Sequence, residues 1–147
     1  MATNVRGQRE AEPPALASPA PAGKEERKRL RVLVVEDNLD SAESLRMLLE
    51  ACGYEVTLAS TGPEGLEAAR ALKPDVVLCD IGLPGMDGFA VASVLRKDPA
   101  TAALRLIAVT GYGREEDRVK ALESGFDLHL TKPVDPARLL DHLRAQR

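Results

Sequence analysis

The sequence predicts an α/β fold, a doubly wound five-stranded parallel sheet with helices on both faces. Three observations point to it. From Leu30 onward, short apolar runs alternate with amphipathic segments of helical period. The run Val76-Val77-Leu78-Cys79 is apolar throughout, as a central parallel strand covered on both faces must be. Acidic or hydroxyl residues close the runs, and the carboxyl ends of strands are where open α/β sheets collect ligands.

Taken in order, Leu33-Val34-Val35 forms the first strand and delivers Glu36 and Asp37 at its end. Asp40-Ser41-Ala42-Glu43 reads as a capping box, and behind it Leu45, Leu48, Leu49 and Cys52 recur at helical spacing until Gly53 stops the helix. Glu55 to Ala59 gives a short second strand. A second capping box, Thr61 with Glu64, opens a helix through Leu66 and Ala69 that Lys73-Pro74 ends. The central run Val76 to Cys79 ends at Asp80, and a helix follows from around Phe89 to Lys97. Leu106-Ile107-Ala108-Val109 ends at Thr110, and the next helix, Arg114 to Ser124, stops at Gly125. Asp127-Leu128-His129-Leu130 is a short fifth strand leading to Lys132-Pro133, and the last helix starts after Asp135-Pro136. Five βα units with short, right-handed crossovers favour the flavodoxin-like strand order 2-1-3-4-5. That order gathers Asp37, Asp80 and Thr110 around one crevice and brings Lys132 to its edge.

Composition bounds the reading. The 147 residues suit one globular domain, and with 44% hydrophobic but only 3% aromatic residues and no tryptophan the core must be aliphatic. No apolar run approaches the roughly 20 residues that span a bilayer, and the N-terminus lacks a signal-peptide pattern. A soluble cytoplasmic protein without membrane association is expected. Cys52 and Cys79 have no metal-ligand or redox spacing and are expected to be small, buried, reduced thiols. Residues 1–29 differ from the rest. Pro13, Pro14, Pro19 and Pro21 lie among alanines, followed by Lys24-Glu25-Glu26-Arg27-Lys28-Arg29, so this stretch reads as a flexible tail or linker before a domain over 30–147. Its acids are interspersed with its bases, which fits a solvated linker better than a nucleic-acid arm.

Four motifs stand at the strand ends: Val34-Val35-Glu36-Asp37-Asn38, Asp80-Ile81-Gly82-Leu83-Pro84-Gly85-Met86-Asp87-Gly88, Val109-Thr110-Gly111 and Leu130-Thr131-Lys132-Pro133. Jointly and in this order, over Leu30 to about Leu143, they resemble the receiver domain of two-component response regulators. The resemblance implies that Asp80 accepts a phosphoryl group from a phosphohistidine of a histidine kinase or histidine phosphotransfer protein. It implies a signalling phosphoacceptor that assists its own phosphorylation and dephosphorylation, and not a conventional enzyme. Asp37 and Asp80 would bind Mg²⁺ (or Mn²⁺) directly, Gly82 would supply a carbonyl, and Glu36 would act mainly through water. Lys132 would pair with the phosphoryl oxygens, Thr110 would donate a hydrogen bond to them, and the bond before Pro133 would be cis. The residue types suit that chemistry. A carboxylate attacking phosphorus must approach a negative group, so charge neutralisation and alignment dominate. Glu36, Asp37 and Asp80 packed together repel one another, and a divalent cation removes the conflict; Mg²⁺ takes few protein carboxylates and readily adds phosphate oxygens.

The chain departs from the family at His129, where tyrosine or phenylalanine is common. Histidine fills a ring-shaped pocket but needs a partner for its nitrogen and titrates near neutrality, so the position reads either as a partly exposed neutral histidine or as a modified switch. Gly82 and Tyr112 fall where family members control hydrolytic water. His142, near the end of the last helix, reads as structural or surface.

Other classes fit less well. A flavin-binding domain would need a hydroxyl- and glycine-rich phosphate cradle after the first strand, where Glu36-Asp37-Asn38-Leu39-Asp40 repels phosphate. An aspartyl-nucleophile phosphatase commonly places a second acid two residues after the nucleophile, where this chain has Gly82. A receiver-like docking module that never takes phosphate would not need the full set of site residues. No helix-turn-helix or basic reading element is present, so direct DNA binding is not expected. The charged helix from Arg114 and the surface beside His129 would dock a kinase, a phosphotransfer protein, or a second receiver or homodimer through the face of the fourth helix, fifth strand and fifth helix. The chain is read as a stand-alone receiver or shuttle, and it also resembles the terminal receivers of hybrid sensor kinases.

Overall fold

Side chains alternate across each strand, and in the three central strands of this chain both sets are largely apolar, so the sheet builds a core on each face. In the computed structural model, which describes residues 29–111 and 113–145, the elements in chain order are β1 (Arg31–Val35), α1 (Leu39–Ala51), β2 (Glu55–Ala59), α2 (Gly62–Leu72) and β3 (Val76–Asp80). They continue with α3 (Gly88–Lys97), β4 (Arg105–Thr110), α4 (Glu115–Ser124), β5 (Leu128–Thr131) and α5 (Pro136–Arg144). The tail expected over 1–29, Arg29 excepted, and Tyr112 lie outside the described residues.

The five strands are parallel in the order β2-β1-β3-β4-β5, as the sequence predicts. Val32, Val34, Val76, Leu78 and Ile107 meet Leu49 of α1 and Leu139 and Leu143 of α5 on one face. Leu33, Val35, Val77, Cys79, Leu106 and Ala108 meet α2, α3 and α4 through Leu66, Ala69, Val91, Leu95 and Ala121 on the other. Leu33, Leu49, Leu78, Leu95, Leu106, Leu139 and Leu143 are at most 1% exposed, and each such side chain contributes about 1.5–3 kcal/mol of transfer free energy. These two aliphatic layers hold the strand ends in register. No helix among the described residues is long and apolar enough to cross a membrane.

Three local expectations need correction. The cap of α1 is Asn38, not Asp40: the Asn38 side chain accepts a hydrogen bond from the Ser41 N–H at 2.9 Å, so the helix begins directly after the acidic pair. Asp40 then lies in the first turn, where its charge favours the positive helix end, and Glu43 pairs with Arg46 instead of reaching back. At α2, Thr61 caps as expected, but the Glu64 carboxylate accepts from the Ser60 N–H and hydroxyl, one residue upstream of the cap. Cys52 is exposed, because α1 ends at Ala51 and the chain turns through Gly53 at φ 94°.

Candidate functional site

The residues of the site leave the carboxyl ends of four strands. Glu36 and Asp37 follow β1, Asp80 is the last residue of β3, Thr110 the last of β4, and Lys132 directly follows β5. Parallel pairing of β1 with β3 and of β3 with β4 sets these ends side by side, with Val35 opposite Cys79 and Asp80 opposite Val109. Oxygens of Glu36, Asp37 and Asp80 lie within 4.8 Å of one another, with Glu36 and Asp80 buried and Asp37 exposed.

The Lys132 ammonium spans the cluster, donating to Glu36 Oε1 at 2.8 Å and to Asp80 Oδ2 at 3.2 Å. Burial alone would lower its pKa; the hydrogen bond to Glu36 and the charges of Asp80 and Glu36 outweigh that and hold it above the ordinary lysine value. The other Glu36 oxygen accepts from the Asn38 N–H at 3.0 Å, and Asp80 Oδ1 accepts from the Gly82 N–H at 3.0 Å. Three carboxylates face one ammonium, so the cluster keeps an excess of negative charge that a divalent cation would neutralise. Both oxygens of Glu36 and both of Asp80 are engaged, and Asp37 is the exposed carboxylate of the three.

The Lys132-Pro133 bond is cis. The Lys132 N–H donates to the Thr110 carbonyl at 2.7 Å, tying β5's exit to β4's end, and Thr110 is buried. His129 stands apart from the acid cluster. It is half-buried on the edge strand, paired in register with Ala108, and lines a separate cavity of about 350 Å³ beside Arg118, Thr131 and Arg138. Burial lowers its pKa, with Asp117 pulling up and Arg118 pushing down. The Cys79 thiol is buried behind Asp80, and its pKa is driven well above the usual range, chiefly by burial and then by the neighbouring Asp80 charge, which makes it an inert core group.

One contributor to the site was missed from the sequence. Gly88 opens α3, and a Cβ there would stand 2.6 Å from the Asp80 carbonyl oxygen and 2.7 Å from Ile81 Cα. Its N–H donates to the Ile81 carbonyl at 3.0 Å. Glycine lets α3 start against the very residues that carry the central carboxylate. The signal was Asp87-Gly88 itself: Asp87 caps α3 by accepting from the Ala90 N–H at 2.9 Å, a helix start and not merely a turn.

This parallel sheet, with an acid cluster and a lysine at its carboxyl rim, has the flavodoxin-like architecture of a receiver-type domain. The family model of the response regulator receiver domain matches residues 32–144, and the chain belongs to that family. It is 41% identical over 115 residues to protein PilH of Pseudomonas aeruginosa, covering 78% of this chain and 95% of PilH. Its structure is similar to a CheY-like receiver domain protein from Methanospirillum hungatei, with TM-score 0.75 and 34% identity over 81% of this chain and 94% of that one. It is also similar to the receiver domain of a sensor histidine kinase from Pseudomonas aeruginosa PAO1, which holds a magnesium ion in its active-site cleft, with TM-score 0.75, 28% identity and coverage of 81% and 98%.

Proposed function

We propose that the domain over residues 30–147 accepts a phosphoryl group on Asp80 from a phosphohistidine of a histidine kinase or phosphotransfer protein, and relays that state to a protein partner. The supporting observation is the grip of Lys132 on Asp80 and Glu36 within an acid cluster of net negative charge. One Asp80 oxygen forms a bond to phosphorus as the phosphorus–nitrogen bond breaks, and the electron pair returns to the donor imidazole. Asp37 and Asp80, with the Gly82 carbonyl and with Glu36 through water, would hold Mg²⁺ or Mn²⁺, which supplies neutralisation of the transferring group's charge. Lys132 trades part of its contact with Asp80 for a phosphoryl oxygen, and the Thr110 hydroxyl donates to another. The arrangement positions and neutralises, which is most of what phosphoryl transfer requires.

In this reading Thr110 and His129 carry the signal to the α4-β5-α5 face, where a second receiver, a homodimer partner or an effector docks; DNA is not contacted. The test is intact mass after incubation with acetyl phosphate and Mg²⁺. A single phosphate adduct in the wild type, absent in Asp80→Asn and with a chelator, is expected. If no adduct forms from acetyl phosphate or from a panel of phosphorylated kinases, the phosphoacceptor reading is wrong.

A further inference from the structure

His129 is a titratable group that the phosphoacceptor chemistry leaves unused, and its surroundings are unusual for one. Leu128 and Leu130 pack into the α1/α5 core, so alternation turns His129 to the opposite face, which α4 covers. Its register partner is Ala108, and Thr110 follows two residues along on the same face of β4. The buried Nε2 of His129 has no hydrogen-bond partner among the described residues. A nitrogen in that position is tolerated as the neutral imidazole; a protonated ring would bury an unpartnered donor and a charge.

The charged groups facing the ring do not rescue the protonated form. From α4 come Asp117, which favours it, and Arg118, which opposes it. Across the 350 Å³ cavity, α5 and its cap present Arg138 and Asp135, and the Asp135 carboxylate already accepts from the Ala137 N–H at 3.0 Å. β4 offers no charged group on this face, only Ala108 in register and Thr110 beyond it. The ring therefore borders the cavity and its cationic neighbours on one side and the buried Thr110 end of β4 on the other.

We infer that phosphorylation of Asp80 and protonation of His129 oppose each other. The inference rests on the phosphoacceptor reading. A phosphoryl group at the end of β3 adds strong acceptors next to the Thr110 hydroxyl on the neighbouring strand. Drawing that hydroxyl toward β3 frees volume on the α4 face, and the side chain placed to fill it is His129. Moving inward strips the ring of water and leaves Nε2 still without an acceptor, so the phosphorylated state holds His129 more firmly neutral. Direct attraction by the new negative charge works the other way. It acts across two strand spacings of about 4.8 Å each and is offset by Lys132 and a bound divalent cation, so desolvation decides the sign. By linkage, acid pH biases the domain against its phosphorylated conformation, and phosphorylation expels the proton. A phenylalanine or tyrosine at this position would have no such dependence in the neutral range.

The chain holds only two histidines, His129 and His142, so imidazole NMR titration reads the proton directly. The expected result is a His129 midpoint that moves further down under excess acetyl phosphate and Mg²⁺. The shift is lost in Asp80→Asn and in Thr110→Ala, and the moving resonance is assigned by its absence from His129→Phe. Intact mass on the same samples separates the two ways of failing. An adduct with an unmoved or raised His129 midpoint overturns the proton linkage alone; no adduct overturns the phosphoacceptor reading and the linkage with it.

Discussion

Two cations, Lys132 and Arg96, sit at opposite rims of the sheet and are similarly enclosed, with side chains 32% and 24% exposed. Burial does not distinguish them; satisfaction does. Arg96, in the last turn of α3, donates to the carbonyls of Gly125, Ala102 and Leu104 at 2.8, 2.8 and 2.6 Å and pairs with Asp127 at 2.8 Å. It fastens α3 to the start of β4 and to the α4–β5 turn, and one carboxylate balances its charge. Lys132 is shared between two of three clustered carboxylates and leaves negative charge over. The rim that closes its hydrogen bonds is architecture, and the rim that leaves charge unbalanced is the one to which the proposed function assigns a cation and a phosphoryl group.

Replacing each cation should break the comparison in opposite ways, and the largest effect belongs to Lys132. Lys132→Ala is expected to slow adduct formation from acetyl phosphate about 10²-fold, the scale for removing a charge-stabilising donor at the reacting group. Time-resolved intact mass reads that rate. Because its partners hold Lys132 above its ordinary pKa, its contribution to stability is complete below about pH 10.4 and is lost as pH rises through the raised folded value. The stability difference between wild type and Lys132→Ala, followed by denaturation against pH, should therefore shrink only in strong alkali. Arg96→Ala should do the reverse. Losing a charged donor to three carbonyls and a carboxylate is expected to destabilise by about 2–4 kcal/mol in urea unfolding, with adduct formation per folded molecule unchanged. A slowed rate in folded Arg96→Ala would show that the far rim also reaches the chemistry.

Gly88 sharpens the contrast, because it is architecture at the reactive rim. Gly88→Ala forces a Cβ to within 2.6 Å of the Asp80 carbonyl oxygen and against Ile81, backbone that cannot swing aside as a side chain would. Overpacking of this kind is expected to destabilise by about 1–3 kcal/mol and, unlike Arg96→Ala, to slow adduct formation too, since the displaced residue is Asp80 itself. Normal rates with lost stability would mean that α3 moves away and leaves the strand end in place.

How much of this was legible in the sequence follows from the range of each interaction. The strand order and the gathering of Glu36, Asp37, Asp80, Thr110 and Lys132 at one rim were readable, because apolar runs fix the strands and a parallel sheet aligns their ends whatever the intervening loops do. Gly88 was not, because its role depends on the Asp80 carbonyl lying beside the first turn of α3, a closeness that no local pattern encodes. The Arg96 hub was hidden for the same reason, as its acceptors lie up to 31 residues away along the chain. His129 stood out by residue type, yet the unpartnered Nε2 that gives the choice a consequence came only from packing.

The smallest predicted effect tests the corrected start of α1, where Asn38 and not Asp40 is the cap. Both residue types cap well, and Asp40 had the stronger motif because Glu43 follows it at the capping-box spacing. Asn38 won because β1 ends at Val35 and the Asn38 N–H is drawn back onto Glu36, which turns its side chain toward the Ser41 N–H. Asn38→Ala is therefore expected to destabilise by about 1 kcal/mol, and Asp40→Ala by only a few tenths through the helix dipole, as read by urea unfolding. The backbone hydrogen bond from residue 38 to Glu36 survives either change, so the acid cluster stays intact and adduct formation should follow the wild type in both variants. A larger loss for Asp40→Ala would restore the capping box. A slowed rate in Asn38→Ala would mean instead that the α1 cap helps to hold Glu36 in the site.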